Sequence, residues 1–387
     1  MNWGRALVIA AVLAVVGFFT VLPAWYDWHV NKLTANPPPP ASAQAQALHK
    51  RLQIVDLHAD PLLWRRDLTK AHSRGHVDLP RMEAGNVALQ VFSSVSKVPR
   101  GLNYDRNRAD SDSITFLTIA QLQPTRTWDS PLHRSLFHAE KLNRFAEKSD
   151  GRLRVIRTVK DLDALLADRA AGKPVTGGLL SIEGLHNLEG KFDNLARLRN
   201  AGYRMASPTH FFDNEVSGSV AGLEKGGLTS LGRQVIRDMQ RSGMVVDLAH
   251  ASHATIAEVL EMATRPVIFS HGGVKATCDN NRNLTDEEIR GIAATGGVIG
   301  IGYWDAAVCD TSIDGIVRAM LHVRDVAGID HVALGSDWDG AVTTVFDAAQ
   351  ISALTEGLMR AGLSEEDIAK IMGGNAIRVL RETLPQG

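Results

Sequence analysis

Hydrophobic and polar positions divide the chain into three stretches. Residues 6–25, ALVIAAVLAVVGFFTVLPAW, carry no charge and are about as long as a helix that crosses a bilayer. Residues 31–48, NKLTANPPPPASAQAQAL, contain four consecutive prolines and little to bury, a composition that predicts an extended spacer. From residue 49 onward, short β-rich apolar runs alternate with segments of helical period. The pattern predicts a membrane anchor over 1–30, a linker over 31–48 and one folded domain over 49–387.

Nine runs in that domain read as strands: 53–60, 86–94, 153–159, 177–184, 204–210, 244–250, 266–272, 297–303 and 331–337. Helical patterns such as 162–171, 252–263 and 285–294 lie between most of them. Near-continuous apolar strands separated by helices imply an α/β fold with a parallel sheet covered by helices. Around eight such units favour closure into a (β/α)8 TIM-like barrel, which leaves one run surplus. Residues 103–148 read as a long, helix-like insertion after the second strand.

A formal net charge of -1 leaves no electrostatic footprint for nucleic acid. Cys278 and Cys309 are the only cysteines. They exclude a multi-cysteine zinc cluster and allow one disulfide in an oxidising compartment. Arg5 before the apolar run and Asp27 after it favour a single-pass orientation with the folded domain outside the cytoplasm. A cleaved signal peptide is the competing reading. Its small-residue pattern, Ala41-Ser42-Ala43, lies well beyond the apolar run, whereas a cleavage site follows such a run closely.

Candidate chemistry gathers at one kind of position. His58 and Asp60, Glu183, His210, His250, His271 and Asp337 all stand at or just past the C-terminal end of an expected strand. In a (β/α)8 barrel those ends converge on one mouth. Residues i and i+2 of a strand share a face, so His58 and Asp60 project together. A single buried histidine needs only a backbone carbonyl to satisfy it, but seven metal-capable side chains at equivalent positions point to a shared centre. Three histidines and two carboxylates exceed the needs of one tetrahedral ion, and Glu183 is placed to bridge two. Two zinc ions per chain sharing a hydroxide would provide a nucleophile near neutral pH without a nucleophilic side chain.

The motifs DLHADPLLW, SIEGLHNLEG, SPTHFFDN, VVDLAHAS, PVIFSHGG, NRNLTD, GSDWDG and GGNAIRVL occur in this order between residues 53 and 380. Together they resemble the membrane dipeptidase (renal dipeptidase) family of zinc peptidases, within the amidohydrolase superfamily. The resemblance implies His58 and Asp60 on one zinc, His250 and His271 on the other, and Glu183 bridging both. It implies Asp337, rather than Asp339, as the acid/base that accepts a proton from the bridging hydroxide and delivers it to the leaving amine. His210 would bind the scissile carbonyl and stabilise the oxyanion, and Arg282 would receive the free C-terminal carboxylate of a dipeptide. The substrates implied are L-Xaa-L-Xaa and L-Xaa-D-Xaa dipeptides, in a bacterial-type inner membrane with the catalytic domain in the periplasm. A homodimer stays open. The resemblance further implies a disulfide between Cys278 and Cys309 at the barrel mouth, against the alternative of two buried thiols.

Three departures bear on substrate preference. Gly272-Gly273 follows His271 where many relatives have two serines, and Gly184-Leu185-His186 follows Glu183 where a second glycine is commoner. The family tyrosine near the carboxylate pocket has no clear match, with Tyr303 and Trp304 nearby. A related amidohydrolase acting on an acyl-amino acid or a β-lactam is the nearest rival, because attack on an amide is the same chemistry. A non-catalytic barrel acting as a binding protein would be marked by a missing ligand, and all five candidate ligands are present.

Overall fold

All nine runs expected as strands contain extended backbone in the computed structural model, which describes residues 3–387. Eight of them form one parallel ring: β1 (Ile54–Ala59), β2 (Val87–Val95), β3 (Thr176–Glu183), β4 (Tyr203–Ser207), β5 (Val245–Val246), β6 (Ile268–Phe269), β7 (Val298–Ile301) and β8 (Val332–Leu334). Consecutive strands pair along the ring, and β8 returns to β1 through Leu334 and Asp56. Between β5 and β6 the closure is a single parallel bridge, Asp247 to Ile268, beside which Leu248 N–H donates to Ile268 O at 2.7 Å. This is the expected TIM-like barrel. The surplus run shortens to Leu153–Val155, which pairs with the start of β3 outside the ring.

The barrel forms because its strands have two faces to bury. One apolar cluster takes Leu57, Leu89, Leu179, Met205, Val245, Ile268, Val298 and Ala333, one from each strand, and fills the interior. Residues of opposite parity, including Ile54, Phe92, Leu180, Val246, Ile299 and Leu334, join the layer between strands and helices. Alternation along each strand thus feeds two cores.

Helix α1 (Trp3–Thr20) buries no residue and, with a mean hydropathy of 1.9, is long and apolar enough to cross a membrane, a property that signal sequences share. The apolar run does not continue as one helix. Pro23 has no N–H to offer the Phe19 carbonyl, which accepts from Arg65 Nη1 instead at 3.0 Å, and a second helix, α2 (Leu22–Val30), begins there. Residues 31–48, expected as a spacer, lie against the barrel. Lys32–Leu33 pairs in parallel with Thr343–Thr344, and helix Ala43–His49, capped by Ser42, buries Ala45 and Leu48.

The insertion after β2 is helical only in part. Residues 96–113 are irregular, followed by helices Ile114–Ala120 and Pro131–Lys148. Asn103 interrupts the helical pattern by accepting the N–H groups of Asp105 and Arg106 on its side chain, a local turn that competes with helix. Buried Arg134 ties the insertion together, donating to the carbonyls of Ser96, Thr127 and Trp128 and pairing with Asp112.

Candidate active site

The strand ends deliver the candidate residues to one mouth. His58 lies in β1 with Asp60 just beyond it, and Glu183 ends β3. His210 follows β4, His250 follows β5, His271 follows β6 and Asp337 follows β8. Ser252 caps helix His253–Met262 two residues after His250, and a Thr285–Glu288 capping box opens helix Asp286–Ala294 three residues after Arg282. These caps fix where the chain leaves the mouth. His250 and Asp337 adopt φ values of 64° and 59°, left-handed conformations that cost energy and persist where the surroundings impose them.

Glu183 is the hub. Its Oε1 lies 2.8 Å from His250 Nε2, 3.2 Å from His271 Nε2 and 3.6 Å from His58 Nε2, and its Oε2 lies 3.5 Å from His210 Nε2. Asp60 Oδ2 is 3.3 Å from His58 Nε2. The ligand atoms form two overlapping triads, His58–Asp60–Glu183 and Glu183–His250–His271, each spanning no more than 4.8 Å. Ligand atoms at roughly 2.0–2.2 Å from a tetrahedral ion lie about 3.3 Å apart, so the triads match the size of a divalent cation. The polar atoms agree. Asp60 Oδ1 is buried without a hydrogen-bond partner, and the Nε2 atoms of His250 and His271 face each other at 3.1 Å, an arrangement that a cation between them would satisfy.

Protonation tells the same story. Burial alone would lower the His58 pKa, but the surrounding Asp60, Glu183 and Asp337 outweigh it and push the imidazole up to about 10. Burial, reinforced by Asp60 and Asp56, holds Asp337 up to about 8 despite His58 and Arg282. Glu183 is raised, again chiefly by burial. His210, His250 and His271 are lowered by burial and by neighbouring cationic groups, and so stand neutral, the form in which imidazole ligates metal. Crowded carboxylates that hold protons in this way are poised to exchange them for cations.

Arg282 is buried beside the cluster. Its Nη2 donates to His271 O at 2.8 Å, its guanidinium lies 5.3 Å from the Phe269 ring, and its Nε and Nη1 have no partner. Asp339 lies apart from the ligand cluster, with its carboxylate taken by Arg66 and by the N–H groups of His76 and Val77. A disulfide joins Cys278 and Cys309, whose Cα atoms are 5.3 Å apart, and links the segment before Arg282 to the turn after β7. The glycine pair after His271 has a steric reason, since a Cβ on Gly273 would sit 1.8 Å from Ala307 O.

Three residues at the site went unrecognised in the sequence. Tyr104, in the irregular part of the insertion, is 41% exposed as a residue, but its hydroxyl end is desolvated beside Asp337, which pushes its pKa to about 12, and its ring lies 5.8 Å from Phe211. No strand-end pattern marks that position. Asp247 accepts from Ser270 Oγ at 2.6 Å, and that hydroxyl lies 2.8 Å from His271 Nδ1, an arrangement that orients the ring. Its place three residues before His250 in VVDLAHAS was a usable signal. Tyr26, from α2, lines the cavity of about 340 Å3 that opens above Asp60, Glu183, His210 and Asp337. Tyr303 does not reach this cavity, being packed between Trp338 and Phe346 with ring centroids 5.6 and 5.0 Å away.

Eight parallel strands with buried imidazoles and carboxylates at their C-terminal ends define a TIM barrel with a candidate metal centre at its mouth. Solved structures share the fold. A Rhodobacter sphaeroides metallopeptidase, liganded with a phosphinate mimic of L-Ala-D-Ala, superposes with a TM-score of 0.69 at 23% identity over 86% of this chain and 99% of its own. The probable dipeptidase PvdM of Pseudomonas aeruginosa gives a TM-score of 0.74 at 19% identity, over 88% of this chain and 97% of its own. Among curated sequences, dipeptidase tcpJ of Claviceps purpurea is 30% identical over 80% of this chain and 69% of its own. An uncharacterized dipeptidase of Schizosaccharomyces pombe, C965.12, is 29% identical over 89% and 83%. The chain belongs to the membrane dipeptidase family, peptidase family M19, whose profile matches residues 42–385.

Proposed function

We propose that this chain is a binuclear zinc dipeptidase that cleaves the single peptide bond of L-Xaa-L-Xaa and L-Xaa-D-Xaa dipeptides. The observation that carries the proposal is Glu183, shared by two ligand triads on the floor of a closed barrel mouth. Zinc ions held by His58 and Asp60 on one side and by His250 and His271 on the other would supply Lewis acidity and activate water for attack on an amide.

The remaining steps belong to side chains. Arg282 spends one N–H of Nη2 on His271 O, which leaves the other N–H of Nη2 beside an unpartnered neighbour to take the dipeptide carboxylate, a bidentate match that a peptide extended beyond its second residue would forfeit. His210, kept neutral by burial, lines the cavity above Glu183 and polarises the scissile carbonyl. Asp337, in the cavity wall and 3.8 Å from His58 Nε2, takes a proton from the attacking water and gives it to the leaving amine. The ligand of the Rhodobacter sphaeroides relative, a mimic of L-Ala-D-Ala, makes D configuration at the second residue the one to test first. Helix α1 would hold the enzyme at a membrane with the barrel outside the cytoplasm, and the disulfide suits an oxidising compartment.

The test is hydrolysis of L-Ala-L-Ala and L-Ala-D-Ala by zinc-loaded full-length protein, beside a chelated sample. Release of alanine that disappears on chelation is expected. Protein that holds zinc and releases none would refute dipeptidase activity on these substrates.

A further inference from the structure

The loop that carries Asp337 is strained and is held largely from outside. Asp337, Asp339 and Ala341, alternating along five residues, have φ values of 59°, 64° and 63°. Left-handed non-glycine residues at this density persist only when contacts from outside the loop over-determine them. Some of those contacts come from the barrel. Trp64 Nε1 donates to Asp339 O at 2.7 Å, and Asp337 N–H donates to His58 O at 3.2 Å.

Others come from the segment between the apolar helix and the barrel. Asp27 in α2 is 1% exposed, a charged residue with no reason to be buried unless paired. Its Oδ2 lies 3.1 Å from Arg66 Nε and 2.9 Å from Arg74 Nε. Arg66 Nη2 in turn lies 2.8 Å from Asp339 Oδ2, so one guanidinium stands at ion-pair distance from both carboxylates, although neither Nε nor Nη2 meets hydrogen-bond geometry. Asp27 Oδ1 accepts from Asn31 Nδ2 at 2.9 Å, and Asn31 Oδ1 accepts from the N–H of Ala341 at 2.9 Å. His76 bridges the two again, with Nε2 donating to Lys32 O at 2.9 Å and Nδ1 accepting the N–H of Asp339 at 3.1 Å. The pairing of Lys32–Leu33 with Thr343–Thr344 closes the far end of the loop.

We propose that residues 22–34 are a working part of the catalytic unit, and that Asp27 is a positioning residue that holds the 337–344 loop, and thereby Asp337, through Arg66 and Asn31. The inference rests on the reading of Asp337 as the acid/base. It also requires that Asp27 remain in the mature protein. Cleavage at Ala41-Ser42-Ala43, or a soluble fragment starting at Leu48, would strip Arg66 of one carboxylate and the loop of its Asn31 and Lys32 contacts.

The test compares full-length, zinc-loaded wild type with Asp27→Asn and with the milder Asn31→Ala, which removes the hydrogen bonds to Ala341 and to Asp27 Oδ1 but leaves both carboxylates in place. Two quantities are read: amide hydrogen exchange in a peptide spanning 337–344, and kcat and KM on a dipeptide, with zinc content checked throughout. Misplacement of a reacting group by a fraction of an ångström predicts a kcat loss of about tenfold to 10²-fold for Asp27→Asn and a smaller one for Asn31→Ala. KM and zinc content should stay near wild type while exchange in the loop accelerates. Loop exchange or kcat at wild-type values in both variants would overturn the proposal, as would a kcat loss that only tracks lost zinc. Should Asp27→Asn fail to fold, Asn31→Ala decides alone. A wild-type chain that turns over no dipeptide would count against the proposed function only, because loop exchange is read without substrate.

Discussion

Replacing Arg282 with methionine keeps an apolar stem and removes the guanidinium. In the structure one N–H of Nη2 is spent on His271 O, while the other remains beside Nε and Nη1, which stand buried and unpaired, so one edge of the guanidinium is open to a carboxylate. A hydrogen bond to a charged group contributes about 1.5–3 kcal/mol, so two such bonds to a substrate carboxylate contribute about 3–6 kcal/mol. At about 1.4 kcal/mol per tenfold, kcat/KM on L-Ala-L-Ala should fall by roughly 10²- to 10⁴-fold. Part of that loss comes from the orphaned His271 carbonyl rather than from substrate, and a second substrate separates the two. The amide of the same dipeptide offers no carboxylate, so wild type should discriminate against it strongly, whereas Arg282→Met should treat acid and amide within a few-fold of one another. Steady-state kinetics on both substrates, with zinc content measured on each protein, make the comparison. A variant that still prefers the free acid as strongly as wild type would refute the assignment of Arg282.

Other expectations follow from the same geometry. Asp337→Asn should lower kcat by about 10²- to 10⁴-fold, the usual worth of a positioned acid/base, with zinc content unchanged in the same preparations. Metal-free protein holds protons at pH 7 on His58, raised to about 10, and on Asp337, raised to about 8. A proton held in the metal-free state and displaced by the cation makes affinity rise with pH until the raised pKa is passed. Zinc loading at pH 7 should therefore release protons, read by calorimetry in buffers of different ionisation enthalpy, and a buffer-independent heat would contradict it. A Cβ on Gly340 would sit 2.2 Å from Asp337 Oδ1 and 2.9 Å from Asp60 Oδ2, whereas one on Gly226 meets nothing within 4 Å. Gly340→Ala should accordingly cost activity and Gly226→Ala should not, in a side-by-side dipeptide assay at equal zinc content.

The barrel was legible because strands such as β2 and β3, buried along their whole length, leave runs of apolar residues with few other solutions. The site was legible because a barrel puts strand ends in one place, so side chains as far apart as His58 and Asp337 could be grouped before any contact was known. What stayed hidden lacked local period. Tyr104 sits in a turn built by Asn103, and nothing in its neighbourhood aims it at a cavity. Asp27 read as a charge flanking an apolar run, because its partners Arg66, Arg74 and, through Asn31, Ala341 lie far along the chain. Proline content at 37–40 suggested a free spacer, yet the flanking residues Lys32–Leu33 and Ala45 had places on the barrel that composition alone does not reveal.

In the proposed enzyme one carboxylate, Glu183, serves two cations. Anomalous scattering at the zinc edge from crystals of the zinc-loaded protein tests it most directly. Two peaks are expected, one among His58, Asp60 and Glu183 and the other among Glu183, His250 and His271, a few ångströms apart as in two-metal sites generally. A single peak at full occupancy, or two peaks of which one has no contact with Glu183, would contradict the account.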